Sequence, residues 1–269
     1  MQYLKSYLQA INFNAKILFL IVPAIIGLVV MTLLQVSSHW TISQSDDEIS
    51  DLTQLTIINS ALVHEMQKER GATAAFLGSE GKLFADILRS QRQKTDAALS
   101  KQRSYVKQHL PDLDNQAVQV RLNSIAAELS KLASTRSQAD SLSISMVAAI
   151  QYYTVVNAKV IGITALIGEL ALDGHVANQL VAYYNFLEAK ERAGIERAVL
   201  SNAFANDNFA AEQFSRFLAL VAEQDTYFSV FSRFAALPLQ KSYKNALNHP
   251  SAKQVELKRT IATNQASAG

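Results

Sequence analysis

The sequence predicts an all-α protein, two stacked antiparallel (up-down) four-helix bundles that share their longest helices and follow one transmembrane helix. Three observations lead there. Helix formers dominate, and 269 residues contain only 4 prolines and 9 glycines. Apolar residues recur at helical spacing over long stretches, with no useful period-2 run, internal repeat or low-complexity linker. The helical segments are joined by short turns, which makes neighbours antiparallel. Hydrophobic residues make up 49% of the chain, enough for a sizeable core.

The elements follow in order. Ile17 to Leu34 is uncharged and interrupted only by Pro23, Gly27 and Thr32, close to the roughly 20 residues that span a bilayer. Lys5 and Lys16 precede it, and Asp46, Asp47, Glu48 and Asp51 follow. The positive-inside rule then makes 1–16 cytoplasmic, 17–36 a transmembrane helix and the remainder external, with Trp40 as interfacial anchor. A cleaved signal peptide is the alternative, but the run is long for one and no A-x-A site follows it. From 46, Ile49, Leu52, Leu55, Ile58, Leu62 and Met66 mark a long helix ending at Gly78-Ser79-Glu80-Gly81. A second helix, about 82–110, places Leu83, Ile87, Gln91, Ala98, Tyr105 and Val106 inward. A third, about 115–136, carries Val118, Leu122, Ile125, Leu129 and Leu132. The fourth, about 142–172, is apolar nearly all round and therefore central. A fifth runs over about 176–205, and a Phe-rich sixth over 209–235. A short seventh lies between Pro238 and Asn248-His249-Pro250, and an eighth covers about 251–262.

Composition excludes several classes of function. There is no cysteine, so disulfide and thiol chemistry are out. A net charge of +2 without runs of like charge argues against nucleic acid as a partner. His64-Glu65-Met66-Gln67-Lys68 is a near miss for the zinc helix H-E-x-x-H, and the 5 histidines are scattered, so no metal is expected. No nucleophile elbow, P-loop or dinucleotide glycine pattern occurs. No cofactor and no catalytic residues are expected, and the protein reads as a non-enzyme.

The informative residues are arginines. Arg70 has Val63, Met66, Ala74 and Leu77 on its helical face, and no carboxylate three or four residues away. Arg197 lies likewise among Phe186, Ala193, Leu200 and Phe204. Gly71 and Gly194 adjoin them and permit close helix approach. Arg192, between Glu188 and Glu196, reads as a surface ladder, and Arg259 has Glu256 at i−3. A charge on an apolar stripe must be satisfied. Either each arginine snorkels or meets a carboxylate of another helix, such as Glu65 or Glu69, or the two converge on an anion, for which the planar guanidinium fork is suited.

Two blocks, LVHEMQKERGATAAFLGSEG with LRSQRQKTD (62–81, 88–96) and KERAGIERAVLSNAFA (190–205), with a weaker VELKRTIA (255–262), resemble the NIT domain, the bacterial nitrate- and nitrite-sensing domain. The resemblance spans about 46–265 and implies an all-α sensor that binds nitrate or nitrite and signals to an output module. Carried over by motif position, the anion site comprises Arg70, Arg197 and Arg259, with Arg192 as a nearby contributor. Where some members have a second arginine, this chain has Glu69, which lowers the positive charge. By resemblance, the protein is a homodimeric chemoreceptor of the bacterial inner membrane. Its sensor is periplasmic and its cytoplasmic signalling module is missing from this chain. The sequence then reads as a fragment, or as a protein signalling through a partner. The rivals are a ligand-free structural bundle and a sensor of a different small anion.

Overall fold

The computed structural model describes residue 31 and residues 48–268 except 112, 114, 207 and 208, with no side-chain description for 202, 205, 206 and 265–268. The chain divides into two compact units, 1–50 and 51–269. In the first, residues 31 and 48–50 are described, and all are helical. The expected transmembrane helix over 17–36 therefore lies, apart from Met31, outside the described residues.

The described residues contain helices and no strand, so the protein is all-α. The helices are α1 (48–78), α2 (Ala85–His109), α3 (Gln116–Leu129), α4 (Leu132–Asp140), α5 (Met146–Leu170), α6 (Gly174–Asn206), α7 (Ala211–Phe234), α8 (Leu237–Leu247) and α9 (Pro250–Ala268). Their starts follow local chemistry. The Asn115 side chain accepts from Val118 N–H at the head of α3, and Ser145 accepts from Ala148 N–H at the head of α5. Asp173 Oδ1 accepts from the N–H groups of His175 (2.6 Å) and Val176 (3.0 Å) at the head of α6. Two backbone bonds close α1, from Gly81 N to Phe76 O and from Glu80 N to Leu77 O, with Glu80 left-handed at φ 53°.

The main core joins Leu52, Leu55, Leu62 and Met66 of α1 to Ile125 and Leu129 of α3, Val156, Val160, Ile163 and Ile167 of α5, and Leu180 and Leu187 of α6. Smaller clusters hold the second half of the chain. Phe231 and Ala235 pack with Ala182, and Phe217 packs with Leu200 and Ala262. Thus α6 serves both sets, and α5 is the buried centre that its composition predicts.

Two details differ from expectation. The third helix is split, because the chain turns at Ser130-Lys131, where the Ser130 hydroxyl bonds Ala127 O at 2.7 Å. The inward stripe of α2 is Leu88, Gln91, Thr95, Leu99 and Gln102. Leu83 and Ile87 are 62% and 60% exposed, because these two apolar residues precede or open the helix and fall outside the stripe that α1 covers.

Candidate anion site between two parallel helices

Arg70 is buried at 3% exposure on α1. Its Nη1 donates to Glu191 Oε1 of α6 and, at 2.9 Å, to Thr154 Oγ1 of α5. Glu191 is fully buried, and its other oxygen accepts from Gln67 Nε2 (2.7 Å) and Asn157 Nδ2 (3.2 Å). One carboxylate therefore ties together α1, α5 and α6. Glu191 is the partner that sequence reasoning missed: the carboxylate comes from another helix, as one of the two alternatives held, but it is neither Glu65 nor Glu69.

Arg70 also lies across Gly194. A Cβ on that glycine would stand 3.0 Å from Arg70 Nη2. Reciprocally, a Cβ on Gly71 would stand 3.7 Å from Arg197 Nη2. Gln67 meets Glu191, Arg70 meets Gly194 and Gly71 meets Arg197 as both helices advance, so α1 and α6 run parallel here. Arg197 is exposed, and it has no hydrogen bond or ion pair among the described residues. Its expected core-facing position is corrected: Arg197 and Phe204 are exposed, whereas Leu200 between them is buried with Phe217 and Ala262, so Arg197 lies at the edge of the packed face.

The other arginines are held by carboxylates. Arg259 of α9 donates to both oxygens of Glu196, from Nε and Nη2, each at 2.7 Å. Gln224 of α7 completes the cluster by donating to Glu196 at 2.7 Å and accepting from Arg259 at 2.9 Å. Arg192 pairs with Glu188 one turn back and with Glu223 of α7 at 2.8 Å, and it lies over the Tyr227 ring at 5.0 Å. The expected surface ladder is therefore only half present. Glu188 and Glu196 are 5% and 2% exposed, and Glu196 serves Arg259 instead. Burial pushes the Glu188 carboxyl above its usual range, against the pull of Arg192. The position expected to reduce the charge of the site, Glu69, is fully buried and bonded to Arg136 of α4 at 2.7 and 2.9 Å and to Tyr153 at 2.8 Å. Its charge is thereby balanced away from Arg197.

Beside the seam of α1 and α6, His64 and Lys68 lie within electrostatic range of Lys190. Burial, then Lys190 and Lys68, hold the His64 imidazole below its ordinary value. Burial likewise lowers Lys190. Burial raises Glu65, but hydrogen bonds from Gln91 and Lys68 outweigh it and leave its carboxyl below the usual range. No group of three or more metal-ligating side chains occurs among the described residues.

These features define an all-α bundle protein with a cationic seam between two long parallel helices. The chain belongs to the NIT family, described as nitrate and nitrite sensing, whose model matches residues 61–269. It is 28% identical over 179 residues to the nitrate regulatory protein of Klebsiella oxytoca, covering 66% of this chain and 45% of that one. Its fold matches the structure of the NasR transcription antiterminator with a TM-score of 0.76 and 25% identity, over 82% of this chain and 59% of the other. The chain thus spans about half the length of the relatives it matches.

These relatives correct several expectations. A membrane-anchored periplasmic chemoreceptor in the inner membrane is not what the chain is similar to; the matched proteins are a nitrate regulatory protein and a transcription antiterminator. The length and apolarity of a segment are weak grounds for an anchor. Met146–Leu170 meets the same criteria and is the core helix of the bundle. The exclusion of nucleic acid is corrected too, since a relative acts in transcription antitermination. A small net charge averages over the chain and does not report local clusters such as Lys68, Lys190 and Arg197.

Proposed function

We propose that this chain is the nitrate- or nitrite-responsive input of a regulator of transcription, and that it binds its ligand without catalysing a reaction. The observation that carries this reading is the reciprocal seating of Arg70 on Gly194 and Arg197 on Gly71, within the span matched by the family. Arg197 offers a free guanidinium fork to a planar oxyanion. Arg70 is the second contact and exchanges Glu191 for the ligand. Arg259 acts indirectly by holding Glu196, the neighbour of Arg197, and Arg192 fastens α6 to α7. An anion that favours one disposition of α1 against α6 has the differential affinity that a switch requires. We also infer that the helices form two stacked antiparallel four-helix bundles with α6 common to both, a reading supported by the separate apolar clusters along α6.

Calorimetry of the full chain with nitrate, nitrite, chloride and formate tests the reading. Nitrate or nitrite should bind at millimolar concentration or below, and Arg197→Ala should abolish the heat. Absence of heat with both anions at millimolar concentration overturns the reading.

A further inference from the structure

Lys190 is a half-buried cation with no hydrogen bond or ion pair among the described residues. The two carboxylates in electrostatic range are Glu65 and Glu191. Both are already engaged, Glu65 by Gln91 and Lys68, and Glu191 by Arg70, Gln67 and Asn157. The stem is half-buried while the ammonium reaches solvent, so Lys190 is free to meet a ligand that the protein itself does not supply.

Its position indicates what that is. Lys190, Gly194 and Arg197 recur at i, i+4 and i+7, on one face of α6. The central residue faces α1, as the approach of Arg70 Nη2 to Gly194 shows. On α1, His64, Lys68 and Gly71 have the same spacing, and Gly71 faces Arg197. The two glycines let the guanidinium groups lie across the seam, Arg70 against Gly194 and Arg197 against Gly71, with Lys190 about one turn before Gly194 and Arg197 about one turn after it. His64 and Lys68 of α1 lie within electrostatic range of Lys190.

We propose that Lys190 is a direct ligand of the small oxyanion, closing over Gly194 from the side opposite Arg197 and supplying the third cationic contact of the site. The proposal rests on the nitrate and nitrite reading given above. A compact ammonium offers donors in several directions, where the guanidinium forks of Arg70 and Arg197 are planar. The combination suits an anion with more than two acceptor oxygens, and it predicts that nitrate loses more than nitrite when Lys190 is removed.

The test is nitrate and nitrite titration of the full chain and of Lys190→Met, Lys190→Arg and Arg197→Ala, with circular dichroism melts alongside. Lys190→Met keeps the apolar stem and should melt as the parent does. It should weaken nitrate binding about tenfold, the size of one lost charge-assisted contact, and nitrite less. Lys190→Arg should recover most of the affinity, which a packing role for the stem would not require. Nitrate binding by Lys190→Met at parental affinity, with binding lost in Arg197→Ala, overturns the role of Lys190 and leaves the sensor reading intact. A Lys190→Arg variant as weak as Lys190→Met also overturns it. A parent chain that binds neither anion removes both.

Discussion

Arg70 spends a single nitrogen, Nη1, on both Glu191 and Thr154, so the buried cation of α1 is neutralised by a buried carboxylate of α6. Removing one member of such a pair leaves the other uncompensated, at a cost of about 3–5 kcal/mol. Glu191→Ala should therefore lower the melting temperature by roughly 10 °C in a chain of this size. Arg197→Ala removes an exposed, unpaired side chain and should change stability by no more than about 0.5 kcal/mol, while abolishing the anion response. Equal losses of stability in the two variants would show that Arg197 has a structural partner.

The two glycines of the seam should respond differently to the same substitution. Both lie inside helices, where alanine gains up to about 1 kcal/mol over glycine. A Cβ on Gly71 meets Arg197 at 3.7 Å, an ordinary contact, so Gly71→Ala should melt higher and still bind anion. A Cβ on Gly194 stands 3.0 Å from Arg70 Nη2. Gly194→Ala must push the guanidinium aside, loosening its pair with Glu191 and crowding the seam. It should gain no stability and lose nitrate affinity. Differential scanning calorimetry and anion titration of the two variants check the contrast.

What could be read in the sequence follows from range. The long α1 declares itself by a buried face that recurs within the element, and α5 by being apolar nearly all round. The absence of a local carboxylate around Arg70 and Arg197 was also legible and correct. The fates of the two arginines were not, because Glu191 belongs to a distant segment and reaches Arg70 only through the parallel packing of α1 on α6. Arg197 reads as core-facing because Phe186 and Leu200 share its face, yet those two pack against α7 while Arg197 lies at the exposed edge of that face. The break at Ser130-Lys131 also escaped, since neither residue is a strong breaker. The resemblance named the arginines of the site; no pattern in the sequence pointed to Lys190 or Glu191.

Glu69 and Arg136 give a prediction about fold rather than ligand. Glu69 is fully buried, accepts two bonds from Arg136 and one from Tyr153, and so joins α1, α4 and α5. The resemblance allows arginine at this position in other members. In this chain Glu69→Arg would bury a second guanidinium against that of Arg136, a cost of several kcal/mol, and the variant should not fold. The double variant Glu69→Arg, Arg136→Glu should recover part of the loss. Thermal melts of the single and double variants form the necessary cycle. Failure of the double variant to improve on Glu69→Arg would show that Tyr153 and the surrounding packing, not charge, fix the preference.

His64 reports on the same seam through pH. Its pKa is lowered from the ordinary 6.5, first by burial and then by Lys190 and Lys68, against the opposing pull of Glu65. The folded state therefore binds the proton less readily than the unfolded chain does. The contribution of His64 to stability is complete above the unfolded value, and it is lost as pH falls through that value toward the folded pKa. Melting temperatures taken between about pH 5 and 8, where histidine titrates, should fall on the acid side, and His64→Gln should reduce the slope. An anion seated against Lys190 would offset part of the lysine charge, so the NMR-monitored pKa of His64 should rise when nitrate is added. That rise should be missing in Lys190→Met, whose His64 should titrate higher than in the parent even without ligand, since one of the charges that depress it has gone.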